Sequence, residues 1–169
     1  MKKLLFLMIP VLLMGCTKKN EPAQTLDDSN LTECPSGNCN FLFTEQADLQ
    51  ENKTFMTGAY RLFWASQQQD GVTTTVYVKA PMGGDTFSLD KAAILSGKVV
   101  FERNCPACFS IPFQLVDGYV KGRNASPEKP ADQTRWLVET KLYLQAVNNA
   151  QLKDTIYLKQ YFRPNFAAN

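Results

Sequence analysis

The chain has 169 residues, with 18 Lys and Arg against 16 Asp and Glu, and 44% of it is hydrophobic. Histidine is absent, which removes Ser-His-Asp and Cys-His catalysis, histidine metal ligation and the usual near-neutral proton shuttle. The formal charge of +2 is no basic excess of the kind that attracts nucleic acid or anionic lipid.

The first residues read MKKLLFLMIPVLLMGC. A basic pair, Lys2 and Lys3, precedes an apolar run over 4–14 that Pro10 interrupts. The run is too short to span a bilayer and has the layout of a secretory signal. Its end, LMGC at 13–16, resembles the lipobox of bacterial lipoproteins. The resemblance implies cleavage before Cys16 and acylation of that cysteine, hence a lipid-anchored protein of the cell envelope. Thr17, where an Asp would mark inner-membrane retention, points to the outer membrane, facing the periplasm or the cell surface. The competing reading is an ordinary cleaved signal in which Cys16 is incidental. Loss of residues 1–15 removes Lys2 and Lys3, so the processed chain is formally neutral. Residues 16–33 contain no aromatic side chain and few aliphatic ones, and read as a lipidated Cys followed by a flexible tether. Residues 34–169 suit a single domain.

After the signal there is no sustained 3.6-residue apolar period. Alternation at period two predicts strands near 39–44, 58–67, 72–80, 97–104, 109–115, 118–123, 133–147 and 152–163. Residues 85–96 suit a short strand or a helical turn, and 124–132 a loop. Asp70-Gly71 predicts a two-residue hairpin that sets Phe63 opposite Val78, Ala65 opposite Val76 and Trp64 opposite Tyr77. Asp117-Gly118 predicts another turn. A long terminal hairpin around Asn148-Asn149-Ala150 sets Trp136 opposite Phe162, Leu142 opposite Ile156 and Glu139 opposite Lys159, because only an even sum of paired numbers keeps both apolar faces together. The expected fold class is all-β, an antiparallel β-sandwich of immunoglobulin-like general architecture. A lipocalin-like barrel is the alternative.

Two short steps hold the other cysteines: Cys34 and Cys39 in CPSGNC, Cys105 and Cys108 in CPAC. Oxidation to disulfides is the first reading in an exported chain, and a Pro turn brings Cys105 and Cys108 within bridging range. The alternative is a thiolate zinc site or a thiol-disulfide protein of the envelope. A redox CxxC needs a helix after it, and FSIPFQLV reads as a strand instead. Tyr60, Trp64 and Tyr77 share one predicted face, and Tyr143, Tyr157 and Tyr161 another with Lys141, Lys159 and Glu139. Each face is a candidate platform for a carbohydrate or protein ligand, against the plainer reading of a second core layer and an ordinary strand exterior. No catalytic residue, metal or cofactor is expected, and the function read from the chain is that of a non-enzymatic binding or accessory module.

Replacing Cys16 with Ser is expected to move the protein from the membrane to the soluble fraction of cells. Continued sedimentation with membranes would contradict lipid anchoring.

Overall fold

The computed structural model describes residues 26–34, 38–106 and 111–165. In chain order the strands are β1 (Cys39–Leu49), β2 (Phe55–Thr57), β3 (Tyr60–Gln69), β4 (Val72–Pro81) and β5 (Thr86–Leu89), then β6 (Val99–Asn104), β7 (Phe113–Asn124), β8 (Trp136–Ala146) and β9 (Asn149–Pro164). The sheet order is β5-β7-β8-β9-β1-β3-β4-β6, with β2 paired to β1 beside this path.

The all-β class is observed, but the two separate sheets of a sandwich are not. The reason is one short joint. β1 runs parallel to β9, with Leu42 beside Arg163 and Phe43 beside Pro164, whereas every other pairing is antiparallel. That joint turns two antiparallel arms into a single curled, mixed sheet, a half-barrel. One arm is β1, β3, β4 and β6; the other is β5, β7, β8 and β9.

The predicted β3–β4 register is observed, with Phe63, Ala65 and Trp64 facing Val78, Val76 and Tyr77. Asp70 (φ 51°) and Gly71 (φ 77°) both adopt the left-handed conformation that a two-residue type I′ turn requires. The β8–β9 register is also as predicted from Trp136 and Phe162 through Gln145 and Lys153, but its tip is not. Ala146 pairs with Asn149, so the turn is Val147-Asn148 and the three residues 150–152 bulge from β9. The odd insertion preserves the parity that keeps the apolar face inward.

Asp117-Gly118 does not reverse the chain. Both residues belong to β7, which pairs with β8 along its length through a shift between Leu115 and Asp117. The Asp117 carboxylate accepts the Gly118 N–H at 2.8 Å, which satisfies a donor displaced by the irregularity. At Gly118 (φ 150°) a side chain would collide with the Lys141 carbonyl of β8. The ambiguous stretch 85–96 holds both expected elements: β5, then a single-turn helix, α1 (Lys91–Ala93), capped by Asp90, whose carboxylate accepts the Ala93 N–H at 2.9 Å. The helical turns run on through residues 94–98, with Gly97 at φ 84°. They carry Ile94, 1% exposed, into the core between the free ends of the arms. β2 was not expected, because three exposed residues carry no burial pattern.

The core lies inside the curl. Phe63 is fully buried and meets Phe43 at 5.4 Å within its own arm, then Phe87 at 5.4 Å, Phe162 at 5.5 Å and Trp136 at 5.8 Å from the other. Phe87 is seated by Gly122, where a side chain would collide with its ring. At the end near Trp136, which is called the base below, Arg61 lies over that indole at 4.2 Å and donates to Glu45 and to the Met82 carbonyl.

Residues 26–33 do not form the free tether expected of them; they dock on the outer face of β7, β8 and β9. The Thr32 N–H donates to the Lys159 carbonyl at 2.8 Å, and the Lys159 N–H donates back to the Thr32 hydroxyl at 2.8 Å. Arg123 donates to the Leu26 carbonyl at 2.6 Å and pairs with Asp28. Leu26 is buried, as is Leu137 on β8. Lys159, expected beside Glu139, does face it across the strands, but its ammonium is bound by Asp27 at 2.8 Å. Polar bonding rather than apolar area holds the segment, which is why composition alone reads it as a coil.

Two outcomes follow. Phe63→Ala should cost about 3–5 kcal/mol in urea denaturation, while Phe55→Ala on the exposed β2 should cost well under half as much; equal losses would refute the ring cluster as the closure of the arms. The Lys159 hydrogen bond holds the Asp27 carboxyl down from its ordinary 3.8 to about 2. The ionised form therefore favours the docked state, a contribution whole above the ordinary value and lost as pH falls through about 2. Asp27 in turn raises Lys159 above its ordinary 10.5, so the same contact is lost as pH climbs beyond that. Amide exchange protection at Thr32 should be high near neutrality and fall at both extremes. Protection that stays flat down to pH 2 would contradict the ion pair as its source.

Candidate functional site

The inside of the half-barrel changes character along the strands. Arg61, Phe63 and Ala65 on β3 are buried, and the next inward position is Gln67. On β4 the series Ala80, Val78, Val76 ends at Thr74. On β6, Val99 and Phe101 give way to Arg103. The apolar filling therefore stops before the strands do, and the end opposite the base opens as a mouth.

That mouth holds a cleft of about 580 Å³. One wall is Gln67, Gln69, Val72 and Thr74 from the β3–β4 hairpin; the other is Phe113 from β7 with Ile156 and Tyr157 from β9. Ile111 forms part of the lip and is 54% exposed. Arg103 reaches across from β6 to Asp154 on β9, with 2.6 Å between charged atoms, and its guanidinium also lies 5.7 Å from the Phe113 ring. This half-exposed pair is weak as a source of stability, but it ties one arm to the other over the opening. Gln67 Nε2 is buried and has no hydrogen-bond partner among the described residues. A buried amide donor left without a partner costs about 1–3 kcal/mol, and Gln67 is one of the residues that line the cleft.

Cys105 borders the cleft and is oxidised in a disulfide; Cys108, its expected partner, lies outside the described residues. Cys34 and Cys39 are bonded to each other, immediately before β1. In this oxidised form these sulfurs are not the free thiolates a zinc site requires. Among the described residues no three Cys, Asp or Glu side chains are gathered as metal ligands. Cys16 also lies outside the described residues.

The two tyrosine faces fare differently. Tyr60, Trp64 and Tyr77 do share the outer face of β3 and β4, but that face is covered. Phe55 of β2 stands edge-on to Trp64 at 4.7 Å and to Tyr77 at 6.3 Å. Lys98 lies over Tyr60 at 4.0 Å, and Leu62, Ala47 and Leu49 form a small second core beneath. Burial, then the Glu102 charge, pushes the Tyr77 hydroxyl above its ordinary range.

The other face is open at one end. Tyr143 and Tyr157 are 40% and 43% exposed and flank Lys141, which lies 5.5 Å from the Tyr143 ring. Tyr161, two residues beyond Lys159, is engaged by Asp28 of the docked segment instead. Tyr119 joins this face beside Lys141. It donates to Glu139 at 2.7 Å, and that bond pushes its hydroxyl up to about 12. Sequence reasoning missed Tyr119 because it broke β7 at Asp117-Gly118 and so had no register against β8. Of the residues singled out from sequence, Tyr157 and Cys105 come together at the mouth, and Tyr157 alone joins the cleft to the tyrosine face.

Comparison of the chain with protein-family models, with curated proteins and with solved structures finds no match.

Proposed function

We propose that this protein is a lipid-anchored, non-enzymatic binding module of the cell envelope, and that its ligand enters the mouth of the half-barrel. The observation that carries this reading is the unpartnered Gln67 amide in a cleft walled by Phe113, Ile156 and Tyr157. Flat aromatic and aliphatic surface beside amide, hydroxyl and guanidinium groups suits a ligand with one apolar face and a rim of hydroxyls. A carbohydrate has that chemistry. Asp70 is the single carboxylate lining the cleft among the described residues, whereas glycoside hydrolysis generally needs two acids facing across the bond, which favours binding over turnover. The envelope address rests on the MKK…LMGC leader, and the readings of Cys105 and Cys108 as a local bridge and of Cys16 as the lipidation site belong to the same proposal.

Titration of the protein with soluble cell-wall and capsular oligosaccharides, followed by NMR or calorimetry, should perturb Gln67, Phe113 and Tyr157 together. Gln67→Ala should weaken binding by up to about tenfold, the value of one hydrogen bond, with urea stability no lower than the parent's, and Tyr157→Ala should weaken it by a similar factor. Binding that perturbs only the Tyr119–Tyr143 face, or that ignores both substitutions, would overturn the assignment to the mouth.

A further inference from the structure

The base of the half-barrel carries a second cleft, of about 600 Å³, beside the loop that links β7 to β8. Lys129, Arg135 and Arg163 line it against a single carboxylate, Asp132, with the Ser126 hydroxyl between them. All three cations are exposed, and among the described residues no ion pair holds any of them. Elsewhere on the outer face Arg123 is matched by Asp28 and Lys159 by Asp27. A formally neutral processed chain thus keeps a local positive excess in one place.

That place is where the chain leaves the sheet toward its N-terminus. The Leu26 carbonyl is bound by Arg123, next to Asn124 at the end of β7 and to Ser126 in the cleft. From Cys16 to Leu26 the chain reaches at most about 36 Å, and β7 and β9, which run from base to mouth, are about 40 and 50 Å long. An acylated Cys16 holds the base, not the mouth, next to the bilayer. We infer that the basal cleft docks on the phosphate of an anionic phospholipid headgroup in the membrane that carries the anchor. The charge complements it, and the end of the molecule that presents it is the end nearest the lipid. Guanidinium groups match phosphate oxygens by paired donors. This inference rests on the lipoprotein reading for its orientation, while the cleft's chemistry is independent of it.

The test uses residues 16–169 with Cys16→Ser, which retains every described residue and lacks acyl chains. Sedimentation with vesicles of phosphatidylcholine, with and without phosphatidylglycerol, should show a preference for the anionic vesicles on the order of 10- to 30-fold at low salt, at about a factor of five per net positive charge near the surface once Asp132 offsets one of the three cations. The double variant Arg135→Gln, Arg163→Gln should lose most of that preference, with unchanged urea stability, and about 0.5 M salt should abolish it in the parent. Equal binding to both vesicles, or a double variant that behaves as the parent, would overturn the proposal. Saturable binding of inorganic phosphate without any vesicle preference would assign the cleft to a soluble phosphate and equally overturn the lipid assignment. Because the tested chain carries no lipid, these results are separate from the fate of the Cys16→Ser protein in cells, which tests the anchor alone.

Discussion

One ring holds the two halves of this protein against each other. Phe63 sits on the central strand of its arm and touches three aromatic rings, Phe87, Trp136 and Phe162, that belong to three strands of the other arm. Among the described residues, strand pairing joins the arms through the short parallel β1–β9 contact, too few hydrogen bonds to set the angle between two four-stranded arms. Side-chain packing sets it instead. Each ring pair adds about 0.5–1.5 kcal/mol beyond the area it buries, and the four around Phe63 are mutually dependent, since moving one ring opens space beside the others. The curl, and with it both clefts, is a consequence of how closely these rings let the arms approach.

The parts legible in the sequence are those where a local rule determines the outcome. Both hairpin registers follow from period-two alternation plus the position of a turn, and they are observed residue for residue away from the β8–β9 tip. Where the local rule is ambiguous, the reading fails in an instructive way. Asp-Gly serves a hairpin at 70–71 and a strand irregularity at 117–118. The difference lies in the neighbours: β7 has β8 alongside on both sides of Gly118, so the chain gains more by continuing than by turning. The parallel joint, made of two residue pairs, leaves no trace in the pattern, and a sandwich was the natural inference without it. The docking of residues 26–33 is equally silent, because a segment held by Asp27, Asp28 and Thr32 through polar bonds has the composition of a coil. As for the cleft, sequence could name Tyr157 and Cys105 but not unite them. Gln67, Arg103 and Phe113 come from three distant strands, and none of them is unusual in its own local stretch.

The polarity gradient inside the curl has a physical logic. Toward the mouth, most inward side chains of one arm do not meet an apolar partner on the other among the described residues. At the base, Arg61 fills the space by lying flat on Trp136, its charge answered by Glu45 and a carbonyl. At the mouth the same inward positions bear Gln67, Thr74 and Arg103, and Arg103 bonds across the opening to Asp154. Apolar residues at those positions would present a wet hydrophobic patch, an aggregation hazard in a protein whose sheet ends in two edge strands, β5 and β6. Polar ones keep the end soluble, and they leave hydrogen-bonding groups facing a space that a ligand can occupy.

The two ends then differ in what they can recognise. Side chains at the mouth are mostly neutral, directional donors and acceptors beside aromatic surface, a combination that reads the shape and hydroxyl pattern of an uncharged ligand. The base presents cations that form no ion pair among the described residues, and such groups respond to charge at longer range and with little regard for shape. On the lipoprotein reading this division matches the geometry, because the docked segment runs from Leu26 at the base toward Cys34 and the start of β1 near the mouth. Its pairing with Lys159 and Arg123 fixes which end the anchored chain departs from. The Asp27–Lys159 contact therefore matters less for the stability of the sheet than for its orientation. It is one of the contacts, with those of Thr32 and Arg123, that keep residues 26–33 from swinging, and on the lipoprotein reading they together fix the end that faces the lipid.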